Sequence, residues 1–280
     1  MRLHSIPTFA IALALSHGAS QAATLTANER GDVFLDGRIS EGDAERLIGL
    51  QKARAKGNLP WLRKIQLSSL GGSVSEAVKV ASLIEAFRLD SHVPDGAACA
   101  SACFLLYVAG SSRTAMGSGE GSFAGQVGVH RPTFDLASTR DEDLQAAENR
   151  QRSLMQRMRT FLTDRNVPSA LIERMMLHSS AEVYWLTDAD LVSLGFHSPT
   201  YEELIVTRCG RSPDFARTLL NLSGSQGADN SVEKMDELGA CQRRVITEVR
   251  AKEMPVLISK AARGWRPWSR APSQGSSTKK

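Results

Sequence analysis

No apolar run in this 280-residue chain approaches the ~20 residues that a helix needs to cross a bilayer. The apolar stretch near the N-terminus, Ile6 to Leu15, is about half that length. No membrane span is therefore expected. Cysteine is scarce, with four in all. None directly follows the Ser20-Gln21-Ala22 triplet, which argues against a bacterial lipid anchor there. Cys99 and Cys103 form a Cys-x3-Cys pair, but no second pair shares its spacing, so no metal site is expected. The chain has no internal repeat, which excludes a solenoid. It has no nucleic-acid-binding motif, so nucleic acid is not an expected partner. Charge is nearly balanced, 34 basic against 30 acidic residues, for a net +4.

The ends carry the clearest compositional signals. Arg2 and His4 precede the Ile6–Leu15 run, and Ser20 and Ala22 place small residues at −3 and −1 of a cleavage site. Residues 1–22 read as a secretory signal peptide, which implies export across the inner membrane and a periplasmic location. An even number of cysteines suits that oxidising compartment. Cys209 with Cys241, and Cys99 with Cys103, are the expected disulfides among three possible connectivities. A four-residue spacing strains a bridge within a regular helix, so the second pair requires Cys99 to precede the helix in an extended turn. At the other end Arg263, Arg266, Arg270, Lys279 and Lys280 lie among Gly, Pro, Ser and Trp without periodicity. Residues 263–280 are expected to be a disordered basic tail.

Between the ends, strand and helix patterns alternate. Asp32 to Gly37, Lys64 to Leu67 and Ser91 to Pro94 read as strands or strand starts. Gly42 to Ala55 and Val74 to Phe87 read as helices, the latter with apolar residues at three- and four-residue steps. Phe104 to Val108 is apolar throughout, as a buried helix or a buried strand would be. This alternation predicts an α/β fold, a core of parallel strands with crossover helices. Further on, Asp141 to Leu162 reads as a long charged helix with a stripe of Leu144, Leu154, Met158 and Phe161. Pro168 to Met176 reads as a helix, Val183 to Leu186 as strand-like, and Asp188 to Leu194 as a short helix closed by Gly195. Residues 23–204 then form the α/β domain and 205–262 a helical C-terminal extension, interrupted by the polar loop Ser223 to Ser231.

One block concentrates the chemistry. Ser101 sits in the small-residue turn Gly96-Ala97-Ala98-Cys99-Ala100-Ser101-Ala102-Cys103, just before the apolar run. Gly72 lies 29 residues earlier, in Ser69-Leu70-Gly71-Gly72, and His130 lies 29 residues later, in Gly128-Val129-His130-Arg131-Pro132. Serine hydrolysis needs a hydroxyl nucleophile, an imidazole to take its proton and uncrowded backbone N–H donors. Ser101 is the candidate nucleophile and His130 the candidate general base, while Gly72 and Ala102 are the candidate oxyanion-hole donors. A serine at a helix start is otherwise an N-cap, and a lone histidine is otherwise a surface or packing residue. His92, His178 and His197 lack comparable context.

At these positions the chain resembles the Clp protease proteolytic subunit family, within the wider crotonase-like fold, and most closely its secreted periplasmic branch. The likeness covers roughly residues 30 to 197. The strand–Ser-Pro-Gly-Gly–helix element of that family is matched by Gln66 to Gly72, with Leu70 where the proline would stand. Its nucleophile turn is matched by Gly96 to Leu106, and its histidine followed by proline by His130 and Pro132. The third triad position falls at Val183, which is apolar. Glu182 is the adjacent carboxylate and Asp135 another candidate orienter, so Ser–His–Glu, a Ser–His dyad and a degenerate site all stand. The resemblance implies a serine peptidase acting on peptide or protein substrates without a cofactor. A thioester-processing crotonase enzyme would need an acidic pair that the sequence does not place. A non-catalytic binding or assembly protein on the same fold is the alternative. In the family the counterpart of the Asp141–Leu162 helix packs between subunits, which implies a homo-oligomer. Packing on its own domain or against the extension could instead cover the same stripe.

Overall fold

The computed structural model describes residues 22–115, 125–132, 144–179, 181–210, 237–238, 240–249 and 251–252. The expected signal segment up to residue 21, Asp135, most of the glycine-rich loop before Gly128, the Ser223–Ser231 loop and the basic tail lie outside the described residues. Among the described residues no helix is long and apolar enough to cross a membrane.

Strands β1 (Thr24–Ala27), β2 (Asp32–Asp36), β3 (Lys64–Ser68), β4 (Asp90–His92) and, later in the chain, β6 (Arg113–Thr114) form one sheet in the order β1-β2-β3-β4-β6. β2, β3, β4 and β6 run parallel, and β1 is an antiparallel edge. Parallel neighbours need a crossover, which helices α1 (Asp43–Lys56) and α2 (Val74–Ala86) supply. The α2 helix starts where Ser73 accepts the Glu76 N–H at 3.3 Å. Its stripe of Ala77, Val80, Ala81 and Ile84 is fully buried, as the three- and four-residue spacing requires. The buried Glu76 carboxylate accepts the Ala44 N–H at 2.9 Å and pairs with Lys79, so it ties the first turns of α1 and α2 together.

A second sheet joins β5 (Ala98–Ala100), β7 (Gln126–Val129) and β8 (Tyr184–Trp185). β5 and β7 are parallel, and β8 is antiparallel to β7. The two sheets meet at Ser69. Its N–H donates to the Ala98 carbonyl at 2.8 Å, and its carbonyl accepts the Ala100 N–H at 2.9 Å. Helix α3 (Ala102–Val108) follows β5 and is buried over all seven residues. A helix surrounded by core shows no polar face, which is why its sequence left helix and strand equally open.

The remaining helices are α4 (Leu144–Thr163), α5 (Ser169–Leu177), α6 (Asp188–Leu194) and α7 (Pro199–Cys209). Thr187 and Asp190 form a capping box at the start of α6, and Gly195 closes it. Met158 and Leu162 of α4 pack into the main core, whereas Leu144 is 76% exposed. α7 runs across the expected 204/205 boundary. Tyr201 and Ile205 of α7 pack with Ile246 of the helical residues 240–249 in a small separate cluster. Both expected disulfides are present: Cys99–Cys103 with Cα atoms 5.2 Å apart, and Cys209–Cys241 with Cα atoms 5.9 Å apart. Strands β1, β5, β6 and β7 carry no strand signal in the sequence: each has two to four residues, and β5 and β7 lie among the small residues and glycines of turn-like segments.

Candidate active site

Ser101 stands between β5 and α3 with φ 58° and ψ −124°, a backbone conformation that costs a residue with a Cβ. It is the N-cap of α3, yet its side chain makes no capping hydrogen bond. An N-cap serine normally gives its oxygen to an N–H of the first turn; here Oγ stays uncommitted. The turn is held through the main chain. The Ser101 N–H donates to the Gly128 carbonyl at 3.1 Å, and the Ser101 carbonyl accepts the Phe104 N–H at 3.0 Å. Cys99 ends up in the strand and Cys103 in the helix, the arrangement that a four-residue bridge requires.

Gly71 and Gly72 pack directly against this turn. A Cβ on Gly71 would lie 2.6 Å from Ser101 Cβ and 3.0 Å from its Oγ. A Cβ on Gly72 would lie 2.1 Å from the Ile39 carbonyl oxygen. Both residues have positive φ, +107° and +143°. Ile39 holds the segment from the far side: its N–H donates to the Gly71 carbonyl and its carbonyl accepts the Ser73 N–H, each at 2.9 Å. The buried Ser69 hydroxyl accepts the Gly71 N–H at 3.1 Å. Among the described residues the Gly72 N–H donates to no acceptor. Ala102, as the first residue of α3, has no intrahelical carbonyl for its own N–H. Two donors are therefore left for an incoming oxygen.

His130 follows β7 and lines the same cleft as Ser101, Gly72 and Ala102. The cleft is small, about 60 Å³, and Val74, Leu105, Met158 and Met175 make it apolar on the remaining sides. No hydrogen bond joins Ser101 Oγ to His130. The ring is instead tied by Nδ1, 2.9 Å from the carbonyl oxygen of Arg131. A carbonyl only accepts, so Nδ1 carries the proton, and the lone pair of the neutral ring is on Nε2. Arg131 is itself fixed. Its N–H donates to the His178 carbonyl at 2.9 Å, and the following Pro132 restricts it to extended conformations.

The structure places Glu182 elsewhere. Its side chain is 74% exposed, and its carboxylate lies 3.9 Å from Nδ1 of His178. His178 stacks on Tyr184, with ring centroids 5.2 Å apart. Tyr184 donates to Asp190 at 2.7 Å, and this hydrogen bond raises the phenol above its usual value. Burial opposes ionisation of Asp190, but hydrogen bonds from Tyr184 and Thr187 outweigh it and hold the carboxyl below the ordinary aspartate range. Val183, the position that the resemblance marks for a third triad member, packs beside Gly128, where a Cβ would meet its Cγ1 at 2.5 Å. The groups that sequence reading did not weigh are the Arg131 carbonyl, Ser69, Ile39, Met158 as a cleft wall, and Met175. In the sequence Met158 stands out only as part of a helix stripe. Pro132 after Arg131 was the one signal that could have pointed to a fixed carbonyl.

No family model matches the chain, and no curated protein matches it. Among solved structures, the chain is similar to a ClpP1 mutant from Listeria monocytogenes at 15% identity and a TM-score of 0.43, over 60% of this chain and 89% of that one.

Proposed function

We propose that this protein is a secreted, periplasmic serine peptidase-like hydrolase that works by acyl transfer. The observation that carries the reading is Ser101 itself, a strained N-cap serine with an uncommitted Oγ beside two unpaired N–H groups. In the proposed reaction Ser101 Oγ attacks a carbonyl carbon and His130 Nε2 takes the hydroxyl proton. The N–H groups of Gly72 and Ala102 receive the developing oxyanion, and the N-terminal end of α3 favours the same charge. His130 then returns the proton to the leaving group, and water repeats the sequence to release the acyl product. The Arg131 carbonyl takes the orienting role that an aspartate has in a triad, so Ser101 and His130 act as a dyad. Glu182, beside His178, has no part in it. The substrate is a peptide or protein that places an apolar side chain against Met158 and Met175. The exposed N-terminal part of α4 is the proposed contact between copies in a homo-oligomer.

A catalytically degenerate binding or assembly protein is the second reading, favoured by the open Ser101–His130 contact. Resting hydrolase sites also show loose catalytic hydrogen bonds, so that distance alone decides nothing. Reaction with a fluorophosphonate does. The wild type should be labelled on Ser101, and Ser101→Ala should not react. His130→Ala should react at least about 100-fold more slowly, the usual scale of a lost general base. An unreactive, correctly folded wild type would establish the degenerate reading.

A further inference from the structure

We infer that the Cys99–Cys103 disulfide positions the Ser101 turn, so that the site is assembled only while this bond is intact; the inference rests on the proposed role of Ser101. The bond encloses three residues, Ala100, Ser101 and Ala102. Two of them supply the nucleophile and one oxyanion donor. Ser101 holds a conformation that persists only when its surroundings over-determine it. The hydrogen bonds at Ser69 fix the strand side, and the Phe104 N–H on the Ser101 carbonyl fixes the helix side. The disulfide is the covalent link that joins those two sides across the turn.

Its effect is local. Cys209–Cys241 closes a loop 32 residues apart in sequence, and Cys99–Cys103 one of 4, so the latter constrains the unfolded chain less. Both of its cysteines are fully buried within the main core, whereas the other bond belongs to the separate C-terminal cluster. A chain still in a reducing compartment would therefore carry Ser101 without its geometry, and oxidation after export would assemble the site.

The test uses the full chain with Cys209→Ser and Cys241→Ser, in which Cys99–Cys103 is the remaining disulfide. A dithiol reductant attacks one sulfur and closes on itself. Two electrons pass to the protein, which yields two cysteine thiols and a cyclic disulfide. Oxidised glutathione reverses the exchange. Two readouts are followed in each state: fluorophosphonate labelling of Ser101 and amide hydrogen exchange over residues 98–104. In labelling, the Oγ–P bond forms, fluoride leaves and the hydroxyl proton goes to His130.

Reduction should slow labelling at least tenfold and speed exchange over 98–104, with far-UV circular dichroism unchanged and both effects reversed on reoxidation. Cys99→Ala with Cys103→Ala should match the reduced state; if that variant fails to fold, the reduction arm stands alone. Equal labelling and equal exchange in the two states would overturn the inference, as would a lowered melting temperature with labelling unchanged well below it. If the oxidised protein does not label but exchange still rises on reduction, the nucleophile reading fails while the clamp on the turn is upheld.

Discussion

Ser101 forgoes the hydrogen bond that would make it an ordinary N-cap, and Gly71 makes room for it. Gly71→Ala tests that fit at a single carbon. The new Cβ would press on Ser101 Cβ and sit at positive φ, so a loss of about 2–4 kcal/mol in stability is expected from overpacking and strain together. Urea denaturation measures it, and labelling of Ser101 should fall well beyond what the folded fraction accounts for. Thiol titration of the denatured, unreduced protein should find close to zero free thiols, because all four cysteines are paired. At this scale the sequence is legible where a side chain, or its absence, marks the cleft. Gly72, Ser101 and His130 stand out by type and spacing, and they line one cleft. The Arg131 carbonyl does not stand out, because every residue has one and only the fold says which imidazole it faces. Glu182 is illegible for a related reason: spacing alone does not say which imidazole a carboxylate meets, and in the turn ahead of β8 this one lies 3.9 Å from His178.

Elements that the sequence obscured are those whose setting overrides their pattern. α3 is apolar all round, and β6 is two residues long, yet β6 carries Arg113, one of the largest buried side chains. Its guanidinium donates to the Leu194 carbonyl at 3.2 Å and to the Arg165 carbonyl at 3.1 Å, so it joins β6 to the end of α6 and the turn after α4. Burial pulls its pKa down to about 10. Arg113→Met should cost about 2 kcal/mol in chemical denaturation, because one buried and one half-buried carbonyl lose their donor. The neighbouring strand carries a pH response. Burial, then the charge of Lys64, hold the His92 imidazole below its ordinary value of 6.5. The unfolded chain therefore binds this proton first as pH falls. The stability contributed by neutral His92 is present above pH 6.5 and is lost as pH drops through the native value. Denaturation midpoints measured from pH 8 downwards should fall over this range, and His92→Gln should flatten that slope.

For the whole molecule, the alternation of parallel strands and crossover helices is readable in the sequence because α2 and β3 have clean periods, whereas the strand order is not. Nor is the seam at Ser69, since it depends on one residue bonding to both neighbours of Cys99. If the proposed signal peptide is cleaved on export, the mature protein should begin at Ala23, and N-terminal sequencing of periplasmic material tests this. It should sediment as a homo-oligomer, and Leu144→Glu, on the exposed part of α4, should shift it towards monomer. A wild type that sediments as a monomer at all concentrations removes that expectation. The Cys209–Cys241 bond has a consequence of another kind. It fastens the end of α7 to the helical residues 240–249 across 31 intervening positions. A single peptide-bond cut anywhere in that interval would leave the two fragments on one molecule, migrating together on a non-reducing gel and parting only after reduction. Everything beyond Cys241 would thus outlast such a cut as cargo on a covalent tether, and shedding it would take a second event, either a further cleavage or an electron donor.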